Sequence, residues 1–76
     1  MVFEHISQDP AIMNGQPCIK GTRLTVSRVL SAMAVYPNRA ELLQNYPELT
    51  EDILVQVLSY GAAAVEDRVI DLVGHA

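Results

Sequence analysis

The chain has 76 residues, half of them hydrophobic, with one cysteine, two histidines and a formal net charge of −4. This length holds one domain, and so short a chain covers its core poorly unless a bridge, a metal or another chain supplements it. A lone Cys18 excludes an intrachain disulfide, and His5 and His75, at opposite ends with no second thiol, exclude a metal set; no cofactor is expected, and a second copy of the chain is.

The opening MVFEHISQDP has no basic stretch ahead of an apolar run, so no signal peptide is expected, and no apolar run approaches the roughly 20 residues needed to span a bilayer. A single reduced thiol suits the cytoplasm. Residues 1–25 read as an extended β arm: Asp9-Pro10, Asn14-Gly15, Pro17 and Gly21 forbid a long helix there. Asn14-Gly15 is a two-residue turn signal, flanked by β-capable Ala11–Met13 and Cys18–Lys20, and Arg23–Val26 resumes an extended run. A hairpin on its own is marginally stable, so this one needs a surface. Two arms pairing across a twofold axis, with Cys18, Ile19 and Leu24 at the seam, would satisfy it. The alternative is that the arm covers its own bundle, with Ile19 and Leu24 as plugs.

Residues 26–60 read as a helix-turn-helix bundle. Val26, Val29, Leu30 and Met33 make one apolar stripe; Thr25 caps its start and Pro37 ends it near Val35 or Tyr36. Asn38 and Glu41 fit a variant capping box for a short second helix, with Leu42, Leu43 and Tyr46 buried and Pro47 closing it. Thr50 caps a third helix whose first turn holds Glu51 and Asp52, where the helix dipole favours acids. Its stripe is Ile53, Leu54, Val57 and Leu58, and Gly61 either ends or weakens it. Residues 61–76 read as a C-terminal helical tail in which Val65, Val69, Leu72 and Val73 offer an apolar side beside Glu66, Asp67 and Asp71. The short turn between the second and third helices suits a helix-turn-helix. The fold class is mainly α: a three-helix bundle, a short N-terminal β arm and a C-terminal helix.

Several stretches together resemble a known family. The order Asp9-Pro10, Gly15-Gln16-Pro17, Ile19, Gly21-Thr22-Arg23, Val26 and then Tyr46-Pro47-Glu48-Leu49-Thr50-Glu51-Asp52-Ile53 is similar to bacterial small homeodomain-like proteins once catalogued only as a domain of unknown function. Members are placed among VapB-type antitoxins. The likeness spans roughly residues 6–62. It implies a homeodomain-like three-helix fold behind an extended arm, dimerisation, neutralisation of a PIN-like ribonuclease toxin, and regulation of the operon through binding of operator DNA. In the family, the turn after the first helix usually contains glycine; here it is Val35-Tyr36-Pro37-Asn38.

Charge divides the chain. Residues 1–40 carry Lys20, Arg23, Arg28 and Arg39 against Glu4 and Asp9, whereas residues 41–76 carry Arg68 against seven acids. An acid-rich start of the third helix, Glu48, Glu51 and Asp52, suits the helix dipole better than base edges. Nucleic acid, if bound, is therefore expected at Lys20, Arg23 and Arg28; two copies would offer six cations and a log–log salt slope of about −5. Arg23 has two readings, a phosphate clamp or a partner of Asp9 or Glu4. Cys18 reads as a small apolar filler, and Tyr36 and Tyr46 as residues packed over turns. No catalytic motif occurs: adjacent pairs such as Glu51-Asp52 point about 100° apart on a helix, so an enzyme is not expected. The chain reads as an antitoxin, with a non-catalytic interaction or dimerisation module lacking nucleic-acid affinity as the alternative. The tail stripe Val65, Val69, Leu72 and Val73 is the expected face for a basic partner, the alternative being that it finishes the core.

Overall fold

The computed structural model describes residues 3–66. They form a mainly helical fold with a two-stranded antiparallel sheet at the N-terminus: β1 (Ile6–Ser7), β2 (Cys18–Ile19), α1 (Val26–Val35), α2 (Arg39–Asn45) and α3 (Glu51–Val65), with a single 3-10 turn at Met13–Gly15. Among the described residues no helix is long and apolar enough to cross a membrane.

Each helix starts at the residue whose side chain replaces a missing backbone partner. Thr25 Oγ1 accepts the Arg28 N–H at 3.0 Å, Asn38 Oδ1 accepts the Glu41 N–H at 3.1 Å, and Thr50 Oγ1 accepts the Ile53 N–H at 3.3 Å. The ends of α1 and α2 repeat one device: Tyr36 and Tyr46 leave helical geometry while their N–H groups still bond to Ala32 and Leu42, and a proline follows each. The two rings then meet edge to face at 6.5 Å, packed over the turns as the sequence suggested. Leu49, buried between α2 and α3, donates its N–H to the Tyr46 carbonyl at 3.0 Å and holds that turn tight.

α1 packs on α3 and on α2 around Val26, Val29, Ala32, Leu42, Leu49, Ile53, Leu54 and Val57, and Ile19 joins this core from β2. Each fully buried side chain of this size contributes roughly 1.5–3 kcal/mol. Leu58, expected on the buried stripe, is 45% exposed. It lies about 40° past Leu54 around the helix, beyond the side that α1 covers. Gly61 does not end α3, which continues to Val65. The expected division at residue 61 therefore falls within one helix.

The strand pairing differs from the one suggested by Asn14-Gly15. Cys18–Ile19 pairs with Ile6–Ser7, in register Ile6 with Ile19 and Ser7 with Cys18, whereas Ala11–Met13 is turn and 3-10 backbone. Asn14 and Gly15 do take positive φ, as does Met13. They bend a longer connection instead of closing a two-residue hairpin. That connection is fixed by Asp9, whose carboxylate accepts the Ala11 N–H at 2.9 Å, and by Gln8, whose amide donates to the Gly15 carbonyl at 3.0 Å.

Both edges of β2 are used within the chain. On one side the Lys20 N–H reaches the His5 carbonyl at 2.8 Å; on the other the Ile19 N–H reaches Leu24 at 2.9 Å, and Cys18 bridges to Thr25. Cys18 and Ile19, expected at a seam between two arms, are 3% and 2% exposed inside one chain, and Leu24 packs against the same core. Within one chain, Ile19 and Leu24 thus pack on the bundle. The His5 N–H to Gln56 Oε1 bond at 2.8 Å and the Phe3–Tyr60 edge-to-face contact at 5.2 Å fasten the arm along α3.

Candidate nucleic-acid interface

Lys20 and Arg23 sit on one rigid turn. Ile19 and Leu24 close it by a backbone bond, and Thr22 braces it from inside: its hydroxyl donates to the Ile19 carbonyl at 2.9 Å and accepts the Leu24 N–H at 3.0 Å. Gly21 takes φ +82° at its tip. Thr25 ends the turn and caps α1, so Arg28 lies one helical turn beyond it. Both the donor and the acceptor capacity of the Thr22 hydroxyl are thus spent on local backbone.

All three cations are exposed, and among the described residues no carboxylate lies within ion-pair distance of any of them. The expected pairing of Arg23 with Asp9 or Glu4 does not form. Asp9 spends a carboxylate oxygen on its own turn, and Glu4 lies beside His5 at 3.8 Å. Arg23 instead lines a cleft of about 290 Å3 between the loop after β1 and the turn after β2, alongside Ser7, Asp9 and Thr22. Arg28 stands in the first turn of α1, which holds no acid. A cation there opposes the helix dipole, so helix stability does not account for it. Three exposed positive charges without ion-pair contacts among the described residues, on a hydrogen-bonded support, suit an anionic surface better than a buried small ligand.

The remaining described arginine is committed. Arg39 Nη1 donates to Glu51 Oε2 at 2.6 Å, joining the start of α2 to the start of α3. Glu51 and Asp52 stand in the first turn of α3, as the dipole argument expected. Among the other residues singled out from the sequence, Cys18 is a buried free thiol whose Sγ donates to the Gln16 carbonyl at 3.4 Å. Val65 is exposed near the end of α3, and Val69, Leu72 and Val73 lie outside the described residues. Among the described residues no three His, Cys, Asp or Glu side chains are grouped to hold a metal ion.

A family model described as "Protein of unknown function (DUF433)" matches residues 6–61. The chain belongs to this family. The matched stretch runs from β1 to Gly61 in α3, so it takes in the basic turn and all three helix caps. No curated protein and no solved structure matches the chain.

Proposed function

We propose that this DUF433 protein is a non-catalytic antitoxin of VapB type that binds operator DNA as a dimer and neutralises a PIN-like ribonuclease in the cytoplasm. The observation carrying the nucleic-acid part is the exposed set Lys20, Arg23 and Arg28, without acidic partners among the described residues, on the braced turn and the first turn of α1. In this reading α2, the Tyr46–Thr50 turn and α3 are the helix-turn-helix of a homeodomain-like bundle. The acid-bearing start of α3 keeps off the phosphates, and the basic turn makes the backbone contacts.

Filter binding of DNA from upstream of the gene, at several salt concentrations, tests it. Two copies contacting six phosphates give a log–log slope of about −5, and Arg23→Ala weakens binding to all sequences and flattens the slope by about 0.9 per copy. Coexpression with the nuclease encoded next door, if one is present, should relieve growth arrest. A second reading, an interaction module without DNA affinity, is favoured by the net charge of −4, which repels a polyanion at long range. Absence of binding at low salt would leave that reading alone.

A further inference from the structure

Asp9 and Arg23 carry opposite charges on the walls of one cleft, of about 290 Å3, yet do not pair. Asp9 is tied to its own loop: one carboxylate oxygen accepts the Ala11 N–H at 2.9 Å, and its carbonyl accepts the Ile12 N–H at 2.9 Å. Arg23 extends from the turn that Thr22 braces. Two other polar groups of the cleft are already spent, the Thr22 hydroxyl on backbone and the Cys18 thiol on the Gln16 carbonyl. Among the described residues that leaves the second Asp9 oxygen, the Ser7 hydroxyl and the Arg23 guanidinium without partners, beside apolar surface from Ile12 and Cys18.

A carboxylate this near a phosphate-binding arginine repels the phosphates that the arginine attracts. The conflict disappears if Asp9 meets a base instead, because a base edge supplies N–H donors. A ligand that matches every free group has an anion for Arg23, a flat body for the apolar wall and N–H donors for Asp9. A nucleotide combines the three.

We propose that this cleft binds the base of an unpaired guanine nucleotide whose phosphate rests on Arg23. Guanine presents two adjacent N–H donors, at N1 and N2, to a carboxylate, and its O6 can accept from the Ser7 hydroxyl. Adenine and cytosine offer one amino donor next to a ring nitrogen that repels a carboxylate, and uracil and thymine offer one N–H between two carbonyls. In a duplex the guanine edge is already used, so the nucleotide is unpaired: a strand end, a loop or a flipped base. At about 290 Å3 the cleft lies near the lower limit, roughly 300 Å3, of ligand pockets, a size for one base and not for a pair. The inference rests on the proposed contact between the basic turn and phosphates. It adds a base preference that phosphate contacts alone lack.

Titrating guanosine monophosphate into the isotope-labelled full chain, with the adenosine, cytidine and uridine monophosphates in parallel, tests it by amide NMR. The expected shifts fall at Ser7, Asp9, Ile12 and Thr22, and guanosine monophosphate should saturate them at about tenfold lower concentration than uridine monophosphate. Asp9→Asn keeps an oxygen for the Ala11 N–H and turns the free oxygen into a donor, so it should erase the guanine preference while the rest of the spectrum stays unchanged. Arg23→Ala should weaken all four nucleotides alike. If Asp9→Asn folds poorly, the ranking of the four nucleotides on the wild-type chain decides. Equal affinity for all four, shifts confined to residues outside the cleft, or a guanine preference that survives in folded Asp9→Asn overturns the inference. A cleft blind to guanosine monophosphate in a chain that still binds upstream DNA overturns the inference and leaves the proposed function standing. Guanine preference in a chain that does not bind that DNA does the reverse.

Discussion

Gly21 has φ +82°, and no atom lies within 4 Å of where a Cβ would sit. A side chain there meets open space, so the whole cost of substitution is backbone strain, about 1–2 kcal/mol for a left-handed L-residue. Gly21→Ala should lower the urea midpoint accordingly, and Gly21→Asn, which tolerates this region better, should lower it less; equal losses would mean that something other than φ sets the cost. That Gly21 breaks regular structure was legible beforehand, because positive φ is a local demand met by few residue types. The state of Arg23 was not. Its candidate partners Asp9 and Glu4 lie in the same N-terminal arm, yet Asp9 turns its carboxylate onto the Ala11 N–H. Which of several nearby charges pairs with which depends on loop geometry that composition does not encode.

All three helices start where Thr25, Asn38 and Thr50 were expected to start them, since a cap is a contact between a side chain and backbone three residues on. The strands were less legible. A two-residue strand has no room to display alternation, and Ile6–Ser7 finds Cys18–Ile19 across a loop whose turn residues imitate a hairpin. At α3 the open question was Gly61. A Cβ there would lie 3.2 Å from Leu30 Cδ1, a close approach to the end of a flexible side chain. Leu30 borders an apolar groove of about 310 Å3 with Tyr60 and Val65, which leaves it somewhere to move. Alanine in a helix interior is favoured over glycine by about 1 kcal/mol. Gly61→Ala should therefore raise the thermal midpoint; a fall would show that Leu30 is pinned and that close α1–α3 packing requires glycine.

Charge and apolar surface make opposite demands on the whole molecule. Each copy carries a net −4, so bringing two together is opposed by long-range repulsion that salt screens. The exposed apolar side chains on α3, Val55, Leu58 and Val65, give any association through them an attraction that does not depend on screening. Added salt should thus tighten the dimer. The basic turn behaves oppositely, because each phosphate it contacts releases counterions and salt reverses that gain. Measuring dimer dissociation and DNA binding in the same series of buffers should show one strengthening as the other weakens. If self-association also weakened with salt, ion pairs and not apolar surface would be holding the copies together.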